Sequence, residues 1–220
     1  MKDFVKNVMS SVGASVDKSL PLQMRIKAYY AKRGYDWQDE NIIGVINTSK
    51  KNDNTFSDCF AIVTDSEVFA VQATLVPGTK WTPETRKKYS ISQEGVYCLG
   101  FYKNLWKFGQ HHGRAWVQCG KASWYIDENL NKKLDAGEKV IRDDCCAMNI
   151  HRKLQDNATQ VDFASAGCFV VRKHSDIDNA IELCGWQAGK PAPAKKFNGL
   201  IEDSESFIFS EELFKIIRRG

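Results

Sequence analysis

The sequence lacks any run of 18 apolar residues, so no membrane-spanning helix is expected. It lacks a C-x-x-C pair, which excludes zinc-ribbon and thioredoxin spacings. Its first 20 residues contain no apolar stretch of the kind a secretory signal peptide needs. Synthesis in the cytoplasm without such a signal is therefore the expectation. Basic residues cluster only briefly, at Arg86-Lys87-Lys88, Lys195-Lys196 and Arg218-Arg219, with no basic stripe among stacking aromatics. A nucleic-acid partner is not expected from that distribution. No internal repeat or low-complexity segment interrupts the chain.

What is present suits one domain with extensions: 220 residues, 43% hydrophobic and 26% charged, with a net charge of +4. Six Trp, seven Tyr and twelve Phe supply bulky packing groups. The seven cysteines are Cys59, Cys98, Cys119, Cys145, Cys146, Cys168 and Cys184. An odd number, with two of them adjacent, suggests a reducing compartment and mostly buried thiols.

Leu22, Ile26 and Tyr29 or Tyr30 recur at helical spacing, with Pro21 at the start and Arg33-Gly34 as a stop. From residue 41 the texture becomes β-like. Segments 41–47, 58–64, 67–74, 95–102, 114–119, 122–126 and 168–172 are rich in branched and aromatic residues, and turn-prone clusters such as 51–54 and Pro77-Gly78 separate several of them. Ser175 reads as the cap of a helix ending near Gly185, and a last helix is expected from Ser210 to Arg219. The expected fold is mainly β (α+β), a sandwich or barrel with flanking helices. Its divisions are an N-terminal helical extension at 1–35, a central domain at 36–187, and a linker with a C-terminal helix at 188–220.

The chemistry concentrates between Met148 and Arg172. Cys168 follows Ser165-Ala166-Gly167, and His151 precedes it by a loop of sixteen residues. A thiol needs a base to react near neutral pH, and histidine is the side chain that supplies one. Gly167 allows close backbone approach, and N–H groups around it suit an oxyanion; Ser165 can bond within the turn or to a substrate. Equally, a cysteine beside glycine can be a small buried apolar group and a single histidine a structural one.

The pairing of Asn149-Ile150-His151-Arg152 with Ser165-Ala166-Gly167-Cys168 resembles the active-site signature of L,D-transpeptidase catalytic domains, and is closest to their phage- and prophage-associated branch. Residues 54–58, Pro77-Gly78 and His111-His112-Gly113 resemble that branch too, so the likeness spans roughly residues 40–185. It implies an L,D-transpeptidase-like fold acting on bacterial peptidoglycan stem peptides, with Cys168 as nucleophile and His151 as base, and with no cofactor required. Arg152, His111, His112 and Asp58 are then candidates for lining the site. Ala166 stands where these enzymes usually carry His, and Val170 where many carry Arg. Those departures favour hydrolysis over cross-linking. The resemblance implies action at the cell wall after release or delivery, with a phage particle or a secretion machine as partner. An injected effector with the same chemistry, or a non-enzymatic wall-binding or phage structural protein, are the alternatives. A papain-like protease is disfavoured, because there the cysteine precedes the histidine.

Separately, Asp127, Asn129, Asn131, Lys133, Asp135 and Glu138 fall at positions 1, 3, 5, 7, 9 and 12 of an EF-hand-like loop, which fits a structural Ca2+. Lys132 occupies the position that prefers Gly. The same residues also make an ordinary polar turn.

Overall fold

The computed structural model describes residues 18–50, 54–89, 95–127, 129–144 and 146–218, and among these it has eleven strands and four α-helices. The expected extension up to residue 17, the turn at 51–53, Cys145 and Arg219 lie outside the described residues. The strands are β1 (Asn41–Ile46), β2 (Asp58–Val63), β3 (Val68–Thr74), β4 (Tyr97–Cys98), β5 (Gly100–Gln110), β6 (Arg114–Gln118), β7 (Ala122–Tyr125), β8 (Val140–Asp144), β9 (Ile150–Arg152), β10 (Phe169–Val171) and β11 (Lys196–Asp203). The helices are α1 (Leu22–Arg33), α2 (Pro83–Tyr89), α3 (His174–Leu183) and α4 (Ser210–Ile217).

Eight strands close into a barrel in the order β1-β11-β5-β6-β9-β10-β3-β2, and β4, β7 and β8 form a separate small sheet. The protein is therefore mainly β, and of the two expected architectures it takes the barrel. Alternation explains how. Along β1, Ile42 and Ile46 belong to the barrel's interior cluster with Phe60, Trp106, Trp116, Phe169 and Phe197. Ile43 and Val45 belong to a second cluster with Ile26, Tyr29, Tyr30, Leu213 and Phe214. A strand buried on both faces reads as the unbroken apolar run NIIGVI. Gly44 leaves room inside the barrel, since a Cβ there would lie 2.4 Å from Leu75 and 3.1 Å from Phe169.

The second cluster makes α1 and α4 an outer layer on β1 and β2, locked to each other by the Arg25–Glu212 ion pair. Helix α1 stops as its sequence indicates, at Gly34 in the left-handed conformation (φ 68°).

Two expectations are corrected. The segment 188–220 is more than linker and helix: Lys196–Asp203 forms β11, parallel to β1 and antiparallel to β5, in the middle of the barrel wall. Prolines 191 and 193 end just before it, so their turn character marks the approach to the strand rather than an inter-domain spacer. Ser175 does not cap α3. The helix begins one residue earlier, at His174, whose N–H donates to the Asp156 carboxylate at 2.8 Å. A carboxylate from the β9–β10 loop thus serves as the cap.

Candidate active site

Strands β9 and β10 run side by side, pairing Ile150 with Phe169 and His151 with Val170. Ile150 and Phe169 point into the barrel, where Phe169 packs on Trp106 with centroids 5.3 Å apart. Alternation then sends His151 and the residue just before β10, Cys168, to the opposite face. Both line one cleft of about 600 Å³. The sixteen residues between them fold away as the loop that joins two parallel strands.

The cysteine turn is tightly wired. Ser165 is fully buried, with its hydroxyl 3.0 Å from the Val76 carbonyl and 2.8 Å from the Cys168 carbonyl. The N–H of Gly167 donates to Ser165 Oγ at 3.1 Å, and that of Val96 donates to the Ala166 carbonyl at 2.8 Å. Gly167 has φ 136°, and a Cβ on it would lie 2.2 Å from the Val96 oxygen. Ser165 and Gly167 therefore shape the turn from behind, while Ala166 and Cys168 face the cleft.

Cys168 is 9% exposed, and the N–H of Asn149 donates to its Sγ at 3.4 Å. Burial pushes the thiol pKa up, while this N–H and the residue's own pull it down. His151 is 1% exposed. Its Nδ1–H donates to the Arg152 carbonyl at 2.8 Å, which fixes the tautomer and leaves Nε2 with the lone pair. Nε2 is buried without a hydrogen-bond partner. Burial lowers the imidazole pKa to about 4; the Arg152 carbonyl opposes this, and His111 and His112 add to it. At neutral pH the two groups are thus thiol and neutral imidazole.

His111 and His112 sit at the tip of the β5–β6 hairpin, where His112 takes φ 57° and Gly113 φ 119°. Their rings lie 4.4 Å and 5.4 Å from that of His151, centroid to centroid. Arg152 clamps the tip by donating from Nε to the His112 carbonyl at 2.9 Å, and its Nη1 lies 3.6 Å from Asp178 on α3. Desolvation, then the neighbouring His112, lowers the pKa of His111.

Asp58 does not join this group. It is fully buried on β2, accepting N–H bonds from Asn47 at 2.9 Å and Leu75 at 2.8 Å. Its remaining partner is Lys132, 1% exposed, whose Nζ lies 3.2 Å from Oδ1 and donates to Ser57 Oγ at 2.8 Å. Lys132 is also where the EF-hand-like pattern wants glycine, and it takes the left-handed φ of 63° that position demands. Around it Asp127 accepts the N–H groups of Asn131 and Lys132, and Asn129 and Asn131 donate to Asp135 Oδ2 at 2.6 and 2.7 Å. The Asp135 N–H donates to Glu138 Oε2 at 3.1 Å, and Lys133 reaches outward to Glu205. This loop follows strand β7 rather than a helix, and its lysine pins it to the barrel through Asp58.

The cleft's apolar rim is not marked by any motif. Trp81 and Phe163 come from two 3-10 turns and meet edge-on at 5.9 Å; Leu154 (76% exposed) and Met148 complete it. Pro77-Gly78 gave the one hint. A Cβ on Gly78 would lie 2.0 Å from the Asp162 oxygen, so glycine there lets the two turns touch. No described helix is long and apolar enough to cross a membrane. Comparison of the chain with protein-family models, curated proteins and solved structures finds no match.

Proposed function

We propose that this protein is a cysteine-dependent peptidoglycan hydrolase of the phage-associated, L,D-transpeptidase-like kind. One observation carries the reading: Cys168 and His151 line the same cleft from adjoining strands, and His151 keeps a buried Nε2 with no hydrogen-bond partner. The resemblance of the Asn-Ile-His-Arg and Ser-Ala-Gly-Cys segments supplies the substrate class.

In the proposed reaction a stem peptide lies along the rim formed by Trp81, Phe163 and Leu154. His151 Nε2 takes the Cys168 proton as the sulfur attacks the scissile carbonyl, forming the C–S bond. The imidazolium then protonates the leaving amine as the C–N bond breaks. Water, deprotonated by the same nitrogen, hydrolyses the thioester and returns the thiol. The Arg152 carbonyl, rather than a third side chain, holds the imidazole in the working tautomer. Because the thiol is raised and the imidazole lowered, proton transfer accompanies attack; no thiolate–imidazolium pair stands ready beforehand. Arg152 and Lys153 line the cleft beside one carboxylate, Asp162, 3.8 Å from Lys153 Nζ, so two cations against one anion suit it to stem-peptide carboxylates. In this reading the protein reaches the wall through a partner or by release from the cell.

The test is incubation of purified protein with isolated cell walls, followed by mass spectrometry of the muropeptides. New free amine and carboxyl ends are expected from the wild type and none from Cys168→Ala, with both proteins folded by circular dichroism. Undiminished cleavage by Cys168→Ala would falsify the reading. The burial of Cys168 favours one other reading, a wall-binding protein with an inert thiol. It predicts that both proteins bind walls and neither cuts them.

A further inference from the structure

Three of the chain's four histidines converge on one wall of the cleft, although they come from two distant parts of the sequence. One ring nitrogen from each of His111, His112 and His151 lies within 4.8 Å of the others. We propose that these three side chains bind a divalent first-row transition-metal ion, with Zn2+ the best match.

The ligand chemistry is appropriate. Imidazole nitrogen is a borderline-soft donor suited to zinc, and three histidines with an open fourth position are a recurrent zinc arrangement. The orientation of His151 is that of a metal ligand: its Nδ1–H is held by a main-chain carbonyl, and the opposite nitrogen is buried, unpartnered and available. Zn–N bonds of about 2.0–2.1 Å place tetrahedral ligand nitrogens roughly 3.3 Å apart. The present spread must therefore contract by at most about 1.5 Å. His111 is half-buried and His112 exposed, both on a hairpin tip, so ring rotation can supply that movement while His151 stays fixed. Arg152 holds the tip in place through the His112 carbonyl, and Gly113 leaves space for its guanidinium, which a Cβ would approach to 2.6 Å. The fourth metal position then faces the cleft that Cys168 also lines.

The site stands on these residues alone. Its regulatory consequence rests on the proposed hydrolase reading: a metal on His151 Nε2 removes the base from Cys168, so zinc occupancy silences the enzyme reversibly.

The experiment uses the full, metal-free chain titrated with Co2+, then with Zn2+ to displace it. One equivalent should bind with the visible bands of tetrahedral cobalt and without the near-ultraviolet thiolate-to-cobalt band, and Cys168→Ser should bind alike. The double variant His111→Ala/His112→Ala, altered only at the hairpin tip, should bind about tenfold more weakly or worse, and His151→Gln should do the same. Failure to take up a stoichiometric ion overturns the proposal. So does unchanged affinity in the double variant, or a thiolate band showing that cysteines hold the metal. None of these readouts needs catalysis. Loss of the hydrolase reading would leave the metal site standing, and loss of the metal site would leave wall cleavage untouched.

Discussion

The guanidinium of Arg152 donates to the main-chain carbonyl of His112, 40 residues away, at 2.9 Å. This side-chain bond adds to the β6–β9 strand pairing and ties the tip of the hairpin, with its two imidazoles, to the strand that carries His151. Replacing Arg152 with Met should free the hairpin. The expected cost to stability is small, about 1 kcal/mol, because the arginine is partly exposed. Amide exchange at residues 110–114 should accelerate while exchange in β1 and β2 stays as it was. Unaltered protection at the tip would show that the clamp does not hold it.

Gly167 is the tightest point of the cysteine turn. Gly167→Ala puts a Cβ against the Val96 oxygen at a φ that L-residues rarely adopt. A loss of more than about 2 kcal/mol is expected. Denaturant melting of the variant measures it. A midpoint within error of the wild type would mean that the turn has another conformation.

The buried Lys132–Asp58 pair should behave quite differently from the surface pairs. Lys132→Met leaves the Asp58 charge buried with its two N–H donors but without its cation. Breaking one partner of such a pair costs roughly 3–5 kcal/mol. Lys27→Met, which breaks an exposed pair with Asp65, should cost about 1 kcal/mol or less. Urea unfolding of both variants tests the contrast, and equal costs would contradict it.

His151 makes stability depend on pH in a defined window. Its folded pKa, about 4, lies below the unfolded value near 6.5. Between these values the unfolded chain holds a proton that the folded one does not, so stability is full above about pH 6.5 and declines as pH falls to about 4. The contribution is on the order of 3 kcal/mol. His151→Gln should flatten the pH dependence of the urea midpoint across that range. An identical slope in both proteins would place the effect elsewhere.

The raised Cys168 thiol has a kinetic counterpart. Its alkylation by iodoacetamide, followed by peptide mass spectrometry, should climb with pH through the alkaline range. A rate already at its plateau at pH 7 would indicate a preformed thiolate and count against concerted proton transfer.

The readable parts of this protein were those governed by local pattern. Branched and aromatic runs marked β1, β2 and β3, and Gly34 marked the end of α1, because propensity and capping act within a few residues. Strand β9 is three residues long, too short for any periodicity, so the strand bearing His151 had no signature of its own. Strand β11 was hidden by the prolines before it, and its pairing with β1 spans more than 150 residues. The oxygen spacing at 127–138 was legible as a loop, but the burial of Lys132 against Asp58 was not, since it depends on tertiary contact alone. The same is true of the histidine trio: adjacency of His111 and His112 is visible in sequence, and their approach to His151 is a product of β6 lying between β5 and β9.

The position of β11 bears on how the polypeptide reaches its native state. Until residue 203 has emerged from the ribosome, β1 and β5 each present a raw edge, and the wall between them is missing. Such edges template intermolecular pairing. A chain arrested or cleaved before residue 196 should therefore aggregate rather than persist as a smaller folded protein, and nascent-chain chaperones should engage it until the last staves are in place.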